Sequence, residues 1–247
     1  MKIEPDSWLA NIFGYPVFKV TLASEESTVT ANSFAQAAAS SAAFLYAKIS
    51  TTRIDQVRTL TAHGFNVVDV NVTLDRIPAL NTDSDDKQII VRDLRADEHD
   101  AVLKIAETSF VYSRFHLDPQ IPNQLANAIK RAWIKSYCQK ERGERLLIAE
   151  VDGKPVGFLA VLKTTINGES ARVIDLITVD KAYQRQGIGR ALVNFFIRDS
   201  VNAVSRLRVG TQAANIPSLQ LYENLGFRIA ETTFVLHAHF RNGEASR

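Results

Sequence analysis

VIDLITVDKAYQRQGIGRALVNFFI, residues 173–197, joins a β-branched run to a glycine-bearing loop and then to an apolar helical pattern. Val173, Ile174, Ile177, Thr178 and Val179 favour an extended strand. Gln184, Gly187 and Gly189 follow in a Gln-x-x-Gly-x-Gly order where the helix opens. Glycines there let the backbone come close to a ligand, and the amides of a first helical turn point outward at the positive end of the helix dipole. The result is an anion cradle, to which Arg185 and Arg190 add charge, so a pyrophosphate is the expected occupant. A Gly-x-Gly before a helix also serves dinucleotide folds and plain turns. A dinucleotide fold puts its glycines after the first strand, whereas these follow the fourth strand of their region, and no Gly-Lys-Ser/Thr of a P-loop is present.

Outward from that stretch, the second part of the chain reads β-α-α-β-β-β-α-β-α-β-β. A strand at residues 88–92 precedes a helix capped by Asp97, with Val102, Ile105, Ala106 and Phe110 at helical spacing. A second helix spans residues 123–139, with Leu125, Ala128, Ile129, Ala132, Trp133 and Tyr137 on one face. Strands at 145–151, 155–164 and 172–179 are joined by turns at Asp152-Gly153 and Asn167-Gly168. A helix at 188–202, a strand at 207–209, a helix at 217–225 and strands within 227–239 complete the region.

The acidic, polar run NTDSDDK, residues 81–87, marks a boundary between a small α/β domain at 1–85 and a larger one at 86–247. The small domain reads as a helix at 33–46, a short β segment at 47–50, a helix at 54–62 and a strand at 65–74, and its size predicts that it docks on the rest. His63-Gly64-Phe65 leads into a strand much as Leu225-Gly226-Phe227 does, each after a strand and a helix. The first domain is therefore expected to be a half-copy of the second domain's C-terminal half, although helix–Gly–Phe–strand is also a common capping pattern.

Composition narrows the function. The 247 residues are 46% hydrophobic and 23% charged, as in a globular protein. Lys plus Arg (29) against Asp plus Glu (27) leaves +2, which argues against a dedicated nucleic-acid or membrane-surface binder. Cys138 is the sole cysteine, so an intrachain disulfide and a thiolate-rich metal site are excluded, and no metal is expected. The apolar-looking run at 35–47 contains Gln36 and falls short of a membrane span, and the opening MKIEPDSW lacks a secretory pattern. The expected location is the cytoplasm.

Two motifs in order, the Gln184 to Gly189 loop after ITVD and Asn215-x-x-Ser218-x-x-x-Tyr222-x-x-x-Gly226-Phe227, resemble the GCN5-related N-acetyltransferases over residues 88–239. The resemblance implies a mixed α/β sheet whose fourth and fifth strands splay apart, with acetyl-coenzyme A as cosubstrate. Leu176, Ile177, Thr178 and Val179 would pair with the pantetheine arm, and the loop Gln184, Arg185, Gln186, Gly187, Ile188, Gly189 and Arg190 would hold the pyrophosphate. Asn215, Ser218 and Tyr222 complete the implied cofactor set. Tyr222 is the implied general acid toward the departing thiolate, and the backbone N–H of Ile177 or Thr178 the oxyanion donor. Asp175, expected by strand alternation to share a face with Ile177 and Val179, is the leading base, ahead of His237 and His239, with a water relay as the alternative.

The segment roofing the acceptor, residues 108–137, offers Tyr112, Ser113, Arg114, Phe115 and His116, a set that suits a sugar or base ring carrying phosphate. The opposing expectation is that Tyr112 and Phe115 plug the core. Ser113-Arg114-Phe115, the Trp133-Ile134 helix and the Gly64-Phe65 strand look like the dTDP-fucosamine acetyltransferase branch of the family, which acetylates the C4 amine of a dTDP-4-amino-4,6-dideoxy sugar for cell-surface glycan assembly. A peptide or other small amine as acceptor, and a non-catalytic coenzyme A-binding module, are the alternatives; a homodimer is left open.

Overall fold

The computed structural model describes residues 1–23, 34, 39–79 and 89–246. In chain order the elements are β1 (Lys2–Pro5), α1 (Ser7–Phe13), β2 (Val17–Thr21), β3 (Ala42–Ser50), α2 (Ile54–Ala62), β4 (Asn66–Arg76) and β5 (Ile90–Asp93). They continue with α3 (His99–Thr108), α4 (Arg114–Leu117), α5 (Asn123–Cys138), β6 (Arg145–Val151), β7 (Lys154–Ile166), β8 (Glu169–Val179), α6 (Ile188–Ser200), β9 (Arg206–Gln212), α7 (Ile216–Asn224), β10 (Arg228–Arg241) and β11 (Glu244–Ser246). The second region follows its expected order closely. Asp152 and Gly153 (φ 49° and 74°) and Asn167 and Gly168 (φ 52° and 83°) form the two left-handed turns that close the β6–β7 and β7–β8 hairpins.

All strands belong to one sheet, ordered β1-β2-β3-β10-β4-β9-β8-β7-β6-β5, with β11 paired to the end of β10. The N-terminal strands therefore do not make a sheet of their own among the described residues. β4 lies between β9 and β10, antiparallel to both. The pattern is unchanged when β1–β4 are exchanged with β7–β10: β2 runs parallel to β3 as β8 does to β9, and β10 and β4 cross over as equivalent partners at the centre. The strand order is thus symmetric about the β10–β4 pair, and Gly64 (φ 88°) and Gly226 (φ 82°) occupy matching helix ends. The symmetry extends to β1 and β2, which stand opposite β7 and β8 and, like α1, carry no sequence expectation.

Two expectations are corrected, one in each region. Residues 42–46, expected at the end of a helix, begin strand β3; of that helix, residues 33 and 35–38 lie outside the described residues, as does the boundary at 81–87. Alanine favours a helix. Here both edges of the segment are paired, to β2 and β10, and both faces are covered, Leu45 by one cluster and Phe44 by another, so tertiary pairing overrides propensity. Asp97 does not cap α3 either: it sits in a 3-10 turn at Ala96–Glu98, where the Glu98 side chain accepts from Arg95 N at 3.0 Å.

The core is layered around this sheet. Ile188, Leu192, Phe196, Leu225 and Phe227 from α6 and the α7 end cover one face of the central strands. Val102, Ile105, Ile134 and Tyr137 from α3 and α5 cover the other, over Leu146, Ile148 and Phe158. No helix of the described residues is long and apolar enough to cross a membrane. Because β4 fills the place between β9 and β10, a chain beginning at residue 86 leaves an edge of each unpaired. The expected outcome is loss of the cooperative thermal transition and aggregation in size-exclusion chromatography; a soluble 86–247 fragment that melts cooperatively would show that β4 is dispensable.

Candidate active site

β8 and β9 pair only from Ala171–Arg206 to Ile174–Val209. Beyond that point β9 continues with β4 on its other side, through Thr73–Gly210 to Asn71–Gln212, and β8 continues with β7. The two strands splay, and the gap opens into a cavity of about 940 Å³ lined by residues from both faces of the sheet. Leu176, Ile177, Thr178 and Val179 form one wall of the gap and Gly210, Thr211 and Gln212 the other. Their inward backbone groups have no strand partner there, which is the condition for a ligand with amides of its own to fill the gap.

On the α6 side the cavity ends at the glycine loop. Asp180 caps the 3-10 turn at Lys181–Tyr183 through Ala182 N at 2.9 Å, and Gln184 Nε2 returns to Val179 O at 3.1 Å, folding the loop back on the strand end. Arg185 (φ 62°) and Gly187 (φ 80°) are left-handed. The first i to i−4 bond of α6 runs from Ala191 to Gly187, so Ile188 and Gly189 have no helical carbonyl for their amides. A Cβ on Gly187 meets only Ile89 Cδ1 at 3.9 Å, which leaves open space of the kind a phosphate needs. Gln184, Arg185, Gly187, Ile188, Gly189 and Arg190 all line the cavity; Gln186 does not, and its amide turns back to Ala182 O. Asn215 caps α7 by accepting from Ser218 N at 3.4 Å, and both residues reach the cavity wall.

Tyr222 projects from α7 into the same space. It is 2% exposed, packs edge-on to Phe227 at 5.8 Å, and has no hydrogen-bond partner among the described residues. Burial pushes its phenol above the usual range, so it is neutral and holds a proton to give.

Asp175 departs from expectation. Ile174 faces Val161 and Leu176 faces Ala160, which makes Asp175 the extra residue of a β-bulge. The bulge resets the alternation. Ile174 and Ile177 pack on the α6 side, whereas Leu176 packs with α3 and α5, and Asp175 turns toward α5 as well. Its carboxylate accepts from Trp133 Nε1 (2.9 Å), Tyr137 OH (2.8 Å), Arg142 Nε (2.7 Å) and Arg142 Nη2 (3.1 Å). Despite burial, these donors hold it below the ordinary carboxylate value, so it is an anchor with little basicity, not the base expected from its position.

The acceptor side is walled by α4, α5 and the polar face of β3, β4 and β9. Tyr112, Ser113, Arg114 and Phe115 line it. His116 does not: its Nδ1 meets Ser113 Oγ at 2.6 Å and its Nε2 meets Asn127 Oδ1 at 2.9 Å. Phe115 is 1% exposed and packs with Phe13 and Phe44, so it plugs the core while its ring supports Arg114, 4.3 Å away. Arg114 also lies 4.1 Å over the Tyr46 ring and donates to His237 Nε2 at 3.2 Å. Because a guanidinium only donates, His237 carries its proton on Nδ1 and donates a hydrogen bond to Asp118 Oδ2 at 2.7 Å, which also accepts from His239 Nε2 at 2.8 Å. Asp118, His237 and His239 are clustered tightly enough to suggest a cation site, but their ring protons point at the carboxylate and a guanidinium occupies the remaining nitrogen of His237. They form a relay that clamps Arg114. His237 and His239, weighed as bases, are tied up in it.

Two cavity residues carry no sequence expectation. Lys130, on α5, is 6% exposed, and its ammonium has no hydrogen bond or ion pair among the described residues. Its Nζ stands 4.9 Å from the Phe110 ring and 5.1 Å from that of Trp133. Burial, with the Arg114 charge, pushes it down to about 7. Asp69, on β4, has one buried oxygen without a partner, and burial raises it to about 6. The buried face of α5, Ala126, Ile129, Lys130, Ile134 and Tyr137, was the available signal for Lys130: a lysine on the apolar face of a helix, hidden because the face lies one position from where periodicity put it.

An acetyltransferase (GNAT) family model matches residues 101–227. The [ribosomal protein bS18]-alanine N-acetyltransferase of Escherichia coli K12 is 32% identical over 127 residues, 50% of this chain and 78% of that one. The spore coat polysaccharide biosynthesis protein SpsD of Bacillus subtilis is 24% identical over 139 residues, 56% of this chain, and the chain spans 46% of its length. A GCN5-related N-acetyltransferase structure from Kribbella flavida superposes with a TM-score of 0.56 at 16% identity, covering 90% of this chain and 80% of that one. The chain belongs to the GNAT family.

Two outcomes follow from this geometry. A Gly187→Val variant puts a side chain into the phosphate space, and we expect acetyl-coenzyme A binding, measured calorimetrically, to weaken at least about tenfold; unchanged affinity would contradict the cradle. Burial pushes His237 from the ordinary 6.5 down to about 4, so the unfolded chain binds the proton first. Its contribution to stability is complete above pH 6.5 and is lost as pH falls toward 4, with a slope of up to about 1.4 kcal/mol per pH unit. Unfolding free energies measured across that window should fall with acid, and His237→Gln should flatten the slope.

Proposed function

We propose that this protein transfers the acetyl group of acetyl-coenzyme A to a primary amine, and that the amine belongs to a nucleotide-linked amino sugar. The observation that carries the first half is the continuous passage from the glycine loop, through the β8–β9 gap, to a polar chamber on the opposite face of the sheet. Residues 184–190 hold the pyrophosphate, residues 176–179 pair with the pantetheine arm, and the N–H of Ile177 or Thr178 stabilises the carbonyl oxygen as it gains charge. Tyr222 gives its proton to the departing sulfur. The acetyl-coenzyme A supplies an activated thioester; the chain's residues orient it and keep water out.

The second half rests on charge. Lys48, Arg114 and Arg208 line the acceptor chamber; Arg208 is paired with Asp75, and Asp69, raised to about 6, is mostly ionised at neutral pH, so Lys48 and Arg114 face a single carboxylate of the lining besides the engaged Asp175. Such a chamber suits an anion and disfavours a polyamine. The likeness to a protein of polysaccharide biosynthesis and the resemblance to dTDP-fucosamine acetyltransferases support a dTDP-4-amino-4,6-dideoxy sugar. A peptide amine is the second reading, favoured by the likeness to the alanine N-acetyltransferase.

An acceptor panel separates them. Release of free thiol from acetyl-coenzyme A is followed with dTDP- and UDP-linked amino sugars and with an alanine-led peptide. We expect turnover with a dTDP-amino sugar; turnover confined to the peptide would move the acceptor, and binding without turnover across the panel would make the protein a coenzyme A-binding module. Tyr222→Phe should lower kcat by about 10²-fold or more while leaving acetyl-coenzyme A affinity nearly unchanged. Equal losses in both would reduce Tyr222 to a packing residue.

A further inference from the structure

Lys130 is buried with no hydrogen bond or ion pair among the described residues, yet it opens onto the acceptor chamber. Aromatic rings flank it on two sides, from Phe110 and Trp133. Trp133 in turn binds Asp175, the bulged residue of β8, so the amine stands beside the segment that faces the thioester end of the gap. A lysine kept only for packing gains a cation–π contact with each ring, whereas methionine fills the same volume without desolvating a charge.

We propose that Lys130 is the general base of the transfer, its ε-amine taking a proton from the acceptor's ammonium group before attack. This rests on the amine-acetyltransferase reading above. In the balanced sequence, the acceptor ammonium gives one proton to the neutral Lys130 amine, and the freed nitrogen forms the C–N bond as the C–S bond breaks. The proton of Tyr222 goes to the thiolate, the tyrosinate is refilled by the second proton leaving the new amide nitrogen, and Lys130 returns its proton to solvent. The Lys130 value near 7 leaves a large neutral fraction at neutral pH.

The charged groups that face Lys130 come from several elements. Arg114, on α4, disfavours its ammonium, and Asp175, on β8, favours it, although Asp175 is largely neutralised by Arg142. His116, on α4, feels Lys130 in return, and its own burial keeps it uncharged. Lys48 on β3 and Asp69 on β4 stand on the far wall of the cavity and oppose one another.

The test has one arm that needs no acceptor. Competitive labelling of the full chain with acetic anhydride across pH, read by peptide mass spectrometry, should give Lys130 a midpoint near 7, well below the other lysines. An ordinary lysine midpoint, or no labelling at all, overturns the proposal. In the second arm, Lys130→Met and Lys130→Arg should each lower kcat/KM about 10²-fold at pH 7 for whichever acceptor of the panel the parent protein acetylates, with acetyl-coenzyme A affinity unchanged. Arginine keeps the charge but cannot take up a proton. The deficit should shrink as pH rises toward the acceptor's own pKa, where the amine arrives deprotonated. A deficit equal at every pH makes Lys130 structural and overturns the assignment. Failure of the whole acceptor panel with a Lys130 midpoint near 7 would sink the transfer reading while leaving a titrating amine in the cavity.

Discussion

The gap between β8 and β9 exists because β9 has two neighbours that take different lengths of it. β8 holds β9 only as far as Val209, while β4 holds it to Gln212. The β4 ladder fixes the far half of β9 in place, so that it cannot swing back to close on β8. Were β4 absent, the backbone groups of residues 210–212 would lack partners on one side as well as on the side facing the gap, and an unpaired buried amide is unfavourable by about 1–3 kcal/mol. Closure of the gap, or unfolding of the strand end, would then be the lower-energy arrangement. A strand from the first third of the chain therefore holds open a gap whose two walls, residues 176–179 and 210–212, lie in the last third. The strand order is what permits this, since β4 sits between β9 and β10 and β10 between β3 and β4.

The same economy of position governs the acceptor wall. Asp175 ties Trp133, Tyr137 and Arg142 to the bulge of β8 and so fixes α5 against the strand that lines the gap. Asp118, fed by two histidines of β10, fixes Arg114 through His237. Both carboxylates act by being fully engaged. Their oxygens already hold several donors each, which lowers their basicity and removes them from proton exchange.

The glycine loop and the helix bearing Tyr222 were readable in sequence as local structure because the physics there is local: glycines with special backbone angles, a cap, a strand running into a helix. The alternation rule failed at Asp175 because a single extra residue, invisible to a period-two pattern, flips the faces of everything before it. The alanine-rich run failed for the opposite reason, since β3 is covered on both faces and its neighbours come from residues 17–20 and 233–241. Lys130 and Asp69 were silent because their chemistry comes from what surrounds them. A lysine becomes a base, or a carboxylate becomes weakly acidic, only once distant elements have removed the water.

That last point explains how one environment gives Arg114 and Lys130 different chemistry. Burial disfavours both cations. From 12.5, the guanidinium falls to about 10 and stays charged at neutral pH; from 10.5, the ammonium falls to about 7 and titrates there. One wall thus presents a permanent cation beside a reversible one, an arrangement two arginines or two lysines would not reproduce. The two are coupled, because the charge of Arg114 contributes to the depression of Lys130. If the proposed acceptor seats an anionic group on Arg114, that group offsets the field and raises the proton affinity of Lys130, so that acceptor binding and the protonation of the lysine amine are coupled through one electrostatic contact.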